Sequence, residues 1–156
     1  MTGKIRENDL SALLVGKYDA DASLIHEVFQ KLGWRLFEAA NRRLAIKYLA
    51  REPLQVVIAK TDVPNWNWRH VLNDLQGMAN PPQLIVTSRT ADESLWAEVL
   101  NIGGYDVMAL PFERFEVERV TASAYRHFQS LLPVAISAKP IARQESAGIK
   151  RRSQSA

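Results

Sequence analysis

Apolar positions along the chain alternate between short runs of strand length and longer stretches with helical spacing. Ser11 to Val15 is a short apolar run of strand length. A polar turn follows, Gly16 to Asp21, in which Asp19 or Asp21 can cap a helix by accepting from its free N–H groups. Leu24, Ile25, Val28, Phe29 and Leu32 then recur at three- and four-residue intervals, which sets them on one helical face. Gly33 supplies the stop. The unit repeats in kind, with Trp34 to Ala39 as a second strand and Arg42 to Arg51 as a helix burying Leu44, Ala45, Tyr48 and Leu49, ended by Pro53. Gln55 to Ala59 is very apolar, as a central parallel strand covered on both faces must be. A loop, Lys60 to Asn67, and a helix, Trp68 to Gln76, come next.

After a break at Gly77 to Pro82, Gln83 to Thr87 reads as a fourth strand and Asp92 to Ile102 as a helix with Leu95, Val99 and Ile102 inward. Gly103-Gly104 terminates it. Val107 to Leu110 is the fifth strand, and Glu113 to Leu132 the last helix, with Phe115, Val117, Val120, Ala124, Phe128 and Leu131 as its apolar positions. Strict alternation with short connections predicts an α/β fold with a doubly wound five-stranded parallel sheet, (βα)5, because parallel neighbours need crossovers and helices pack on both faces. The flavodoxin-like strand order 2-1-3-4-5 would put a ligand site at the carboxyl ends of strands one, three and four. On this reading residues 10–132 are the folded domain. Residues 1–9 are a flexible polar arm, and residues 133–156, without apolar period, a basic disordered tail.

A length of 156 residues with 47% hydrophobic residues suffices for one domain with a proper core. There is no cysteine, and His26, His70 and His127 are scattered, so no disulfide or structural zinc is expected; no other metal and no cofactor is part of this reading. Leu10 to Gly16 is too short for a signal peptide, and no apolar run approaches the roughly 20 residues that span a bilayer. A soluble, cytoplasmic chain with no membrane partner is the expectation. Of the net charge of +3, the tail carries +4, through Lys139, Arg143, Lys150, Arg151 and Arg152 against Glu145, and residues 1–132 carry −1. Lys150-Arg151-Arg152 would attract nucleic acid weakly and in a salt-sensitive way, with no recognition helix or aromatic platform beside it.

Leu13-Leu14-Val15, Lys31-Leu32-Gly33-Trp34, Val56-Val57-Ile58, Pro64, Ile85-Val86-Thr87-Ser88, Gly103-Gly104-Tyr105-Asp106 and Leu110-Pro111-Phe112 together form a pattern. It resembles the receiver domain of bacterial two-component response regulators and covers residues 10 to about 132. The resemblance implies phosphoryl transfer from a histidine kinase to an aspartate. Two acids after strand one and the acceptor after strand three would hold Mg²⁺, while a lysine before the fifth-strand proline and a hydroxyl after strand four would hold the phosphoryl oxygens. Carried over by position, Gly16 and Lys17 stand for the two acids, Lys60 for the acceptor and Leu110 for the lysine, and Thr87 alone survives. Three acids and one lysine have become two lysines. Their charges, at about 4 to 8 Å, would repel Mg²⁺ by on the order of kcal/mol each, whereas the ion needs carboxylates to give up its water. The pattern thus predicts a pseudo-receiver without the ordinary switch.

Three further readings stand beside that one. Asp62, near Asp19 and Asp21, could serve as a displaced acceptor, although it lies two residues before Pro64 where the pattern calls for four. A flavodoxin-like binder or enzyme lacks its glycine-rich phosphate loop, since Gly16-Lys17-Tyr18-Asp19 stands alone. A nucleic-acid regulator would have to work through the tail. Lys17 and Lys60 could form a small anion site or pair with Asp19 and Asp62.

For interaction, Asn65-Trp66-Asn67-Trp68 puts two indoles in a loop and at a helix start, as a protein-binding hot spot would. The alternative folds one of them over the vacated pocket or onto the first helix. Trp96, Tyr105 and Val107 fall on the region from helix four to strand five that receivers use to signal and dimerise, and Val107 stands where a switching aromatic is common. The sequence therefore predicts a stand-alone, non-enzymatic signalling module. It would work by contact with a sensor kinase, another signalling protein or a second copy of itself.

Overall fold

The computed structural model describes residues 9–133. The arm expected over residues 1–9 and the tail expected over residues 133–156 lie, but for one residue each, outside the described residues. Five strands, β1 (Ser11–Val15), β2 (Arg35–Ala39), β3 (Val56–Lys60), β4 (Gln83–Ser88) and β5 (Asp106–Ala109), alternate with five helices. These are α1 (Ala22–Leu32), α2 (Arg42–Arg51), α3 (Trp68–Gln76), α4 (Glu93–Ile102) and α5 (Arg114–Ser130). All strand pairs are parallel, as the alternation predicts, and their order is the expected β2-β1-β3-β4-β5.

The pleat divides the core in two. Leu10, Ala12, Leu14, Val56, Ile58, Ile85 and Met108 face α1 and α5, and meet Ile25, Phe29, Val117, Val120 and Tyr125. Leu13, Val15, Val57, Ala59, Leu84 and Val86 face the other way, against Ala45, Val71, Leu75 and Val99 from α2, α3 and α4. Residues of β1 are buried without exception because that strand lies inside the sheet with helices on both faces. Asn41, Asn67 and Asp92 cap α2, α3 and α4 by accepting from backbone N–H groups two or three residues on. Among the described residues no helix is long and apolar enough to cross a membrane.

Several expected inward positions face solvent. Phe115 is 78% exposed: it lies two residues before Val117, about 200° around the helix from the buried stripe. Leu44 points away from Ala45, Ile102 ends α4 and Leu131 follows α5, and all three are exposed. Tyr125, not anticipated, is among the largest fully buried side chains. Neither Asp19 nor Asp21 caps α1 through its side chain. The two begin and end a single 3-10 turn that runs straight into the helix, and the Asp21 carboxylate instead accepts from Arg89 at 2.6 Å.

Candidate functional site: the carboxyl ends of the strands

Both β3 and β4 extend one residue further than their apolar runs, so Lys60 belongs to the sheet and pairs in register with Thr87. Gly16 directly follows β1 beside them, and Leu110 follows β5, its N–H donating to the Ser88 carbonyl at 3.0 Å. The sheet therefore brings Gly16, Lys60, Thr87 and Leu110 to one edge, where the resemblance would place a phosphorylation site.

At Gly16 the backbone has φ +113 and the N–H donates to the Ala39 carbonyl at 2.9 Å. A Cβ there would lie 3.3 Å from Lys60 Cγ and Cδ and from Val63 Cγ2. Both the left-handed conformation and the close approach favour glycine and leave little room for an acidic side chain. This turn sends the Lys17 side chain to solvent and Tyr18 inward.

Tyr18 fills the pocket. It is 3% exposed, its phenol shares a hydrogen bond of 2.8 Å with the buried Thr87 hydroxyl, and its ring stacks on Phe112 with centroids 5.5 Å apart. Burial pushes the phenol well above its usual range, an effect that the Thr87 hydrogen bond opposes and the charges of Asp21 and Asp62 reinforce. Lys60 crosses the same ring with Nζ 5.3 Å from its centroid and donates to the Lys17 carbonyl at 2.7 Å. Lys17 and Lys60 are thus joined through a backbone carbonyl. Among the described residues neither takes part in a salt bridge, so the pairings with Asp19 and Asp62 are not formed.

Outside this plug a concavity of about 250 Å³ is lined by Lys60, Thr61, Asp62, Thr87, Ser88, Arg89, Thr90 and Leu110. Asp62 is exposed at its rim, and Leu110 is buried. The donor set does not fit Mg²⁺. One carboxylate lines the concavity, an ammonium and an isobutyl group stand where ligands or a phosphoryl clamp would be needed, and hard divalent cations require several oxygens. Among the described residues no three acidic, histidine or cysteine side chains form a metal cluster.

The interaction candidates separate into two groups. Trp66 and Trp68 are each 3% exposed, so the expectation of indoles at an open loop tip is corrected. Nor does either cover the Tyr18 pocket or lie on α1: both pack in the cluster on the α2–α3–α4 side. Asn65, at φ +60, reverses the chain, and the Trp66 N–H then donates to the Val63 carbonyl at 3.0 Å, which directs the indole inward. Its Nε1 donates to Asp74 at 2.8 Å, onto the same carboxylate oxygen that takes Arg42 Nε at 3.0 Å. Trp68 carries the Arg69 guanidinium over its ring at 4.8 Å.

Trp96, by contrast, is 50% exposed, with Nε1 donating to Asp106 at 3.2 Å. Tyr105 and Val107 are half-buried, and the Tyr105 hydroxyl is paired with Ser123 on α5 at 2.5 Å. The histidines lie apart, His26 beside Glu38 and His127 against the Tyr105 ring. Tyr18, Phe112 and Asp74 had no part in the site as read from the sequence. Only an aromatic residue two positions after a glycine at a strand end hinted at the first.

No protein-family model matches the chain, and no curated protein matches it in sequence. Solved structures do match in fold. The signal receiver domain of an HD domain-containing protein from Pseudomonas fluorescens superposes with a TM-score of 0.69 at 20% identity, over 78% of this chain and 98% of that one. The receiver domain of a putative Luxo repressor protein from Vibrio parahaemolyticus gives 0.70 at 18% identity, over 78% and 94%. That of a sensor histidine kinase from Pseudomonas aeruginosa, crystallised with a magnesium ion coordinated in its active-site cleft, gives 0.65 at 19% identity, over 76% and 98%. This chain has the receiver fold.

Proposed function

We propose that the domain is a receiver-like module of two-component signalling that acts by protein contact and is not switched by aspartyl phosphorylation. The observation that carries this reading is the plug: Tyr18 bonded to Thr87, with Lys60 laid across its ring and bonded to the Lys17 carbonyl. A phosphorylated receiver needs a carboxylate acceptor, a cation and a free hydroxyl at these places. Here the acceptor position is an ammonium, the hydroxyl is engaged and the lysine position is aliphatic. The partner is a sensor kinase or another signalling protein, and Trp96, with Tyr105 and Val107 behind it, marks a face for it on α4 and β5.

A second reading rests on Asp62, which lines the same concavity as Thr87 and Lys60 and could accept a phosphoryl group there. Incubation with a small-molecule phosphodonor and Mg²⁺, read by intact mass, separates the two. An unchanged mass under conditions that label a control receiver is the expected result. A gain of one phosphoryl group that disappears in Asp62→Asn would replace the first reading with the second.

A further inference from the structure

Helix α2 carries Arg42, Arg43, Lys47 and Arg51 and no acidic residue. Its inner face is narrow, with Ala45 buried and Tyr48 and Leu49 half-buried. At about 100° per residue, Arg43, Lys47 and Arg51 form one solvent-facing stripe. It runs about 12 Å at about 1.5 Å of rise per residue, with Ile46 along one flank and Leu44 along the other. Both flanking side chains are exposed, at 38% and 40%. Arg42 stands apart, because its bond to the carboxylate shared with Trp66 ties the start of α2 to α3 and fixes the helix as a platform.

Three other arginines are matched within the domain: Arg69 to Glu98, Arg89 to Asp21 and Arg114 to Glu27. Arg43, Lys47 and Arg51 form no salt bridge among the described residues. Like charges four apart on a helix repel, and nothing on α2 relieves them. Carboxylates brought by another molecule would. We propose that the solvent face of α2 docks a short acidic amphipathic segment of a partner protein. Its carboxylates meet Arg43, Lys47 and Arg51, and its apolar side chains cover Leu44 and Ile46.

Two observations favour such a segment over nucleic acid. A phosphate backbone offers nothing apolar to Leu44 and Ile46, and the stripe has no aromatic side chain for base stacking. Outside α2, residues 1–132 carry −5, so the folded surface around the helix disfavours a long polyanion more than a short segment confined to α2. This surface lies apart from the strand-end pocket, and the inference does not depend on whether that pocket accepts phosphate.

The test is fluorescence anisotropy with the full chain and a labelled peptide bearing glutamates every fourth position and leucines on both flanks, beside its glutamine counterpart. Binding of the glutamate peptide alone, weakening as salt rises from about 0.05 to about 0.5 M, is expected. The triple variant Arg43→Glu, Lys47→Glu, Arg51→Glu should weaken it about tenfold or more with the thermal melt unchanged, and Leu44→Ser with Ile46→Ser should weaken it as well. The glutamine triple variant replaces the first if charge reversal impairs folding. No peptide binding, or an affinity indifferent to these substitutions, overturns the proposal. So does a DNA oligonucleotide or a phosphatidylserine vesicle that binds as tightly through the same cations.

Discussion

Tyr18→Phe removes one oxygen from the centre of the plug and leaves the ring on Phe112. Thr87, fully buried, would then keep only its long 3.5 Å contact with the Ala59 carbonyl. A neutral buried hydrogen bond contributes about 0.5–1.5 kcal/mol, and abandoning its partner in the core costs about 1–3 kcal/mol. A loss of about 1.5 kcal/mol is therefore expected from Tyr18→Phe, and a similar one from Thr87→Val. The double variant should cost less than the two together, because no group is then left unsatisfied, giving a coupling of about 0.5–1.5 kcal/mol. Urea unfolding of the four proteins at neutral pH, followed by far-ultraviolet circular dichroism, reads this directly. With a slope of about 1.5 kcal/mol per molar, each single substitution lowers the midpoint by about 1 M at unchanged slope. Costs that add to within about 0.3 kcal/mol would show that phenol and hydroxyl are not joined, and the plug would lose its central bond.

Further outcomes follow from neighbouring groups. Because burial raises the Tyr18 pKa, the folded chain holds a proton that the unfolded chain releases near pH about 10. This contribution is complete below that value and declines as pH rises above it, so the alkaline loss of stability should be shallower in Tyr18→Phe; identical profiles would refute it. The bond from Arg42, helped by that from Trp66, holds the Asp74 carboxyl below the usual carboxylate range against the opposing effect of burial. Its stabilisation is present above about pH 4 and lost as pH falls, so Asp74→Asn should destabilise at pH 7 and converge with the parent towards pH about 2 in pH-dependent melts. Lys60→Asp alone should remain unlabelled by a phosphodonor with Mg²⁺, since Gly16 and Lys17 supply no carboxylate for the ion and Tyr18 occupies Thr87. A phosphoryl gain on that variant would show that the acceptor residue was the missing part.

What the sequence determined by itself is local and periodic. Alternating apolar runs of two periods set five strands and five helices and a parallel sheet, and the expected order 2-1-3-4-5 is the one observed. Because ligand sites on such sheets collect at strand ends, the convergence of Gly16, Lys60, Thr87 and Leu110 was also legible. What only the tertiary structure decided are contacts between segments distant in sequence, such as the bond from Tyr18 to Thr87, 69 residues on, and the Arg42–Asp74–Trp66 junction. These depend on how single backbone turns aim a side chain: φ +113 at Gly16 sends Tyr18 inward, and φ +60 at Asn65 buries the indole that a linear reading leaves at a loop tip. Periodicity reports which face of an element is apolar. It carries no information on the dihedral of one loop residue, and at the strand ends that dihedral selected which side chain filled the pocket.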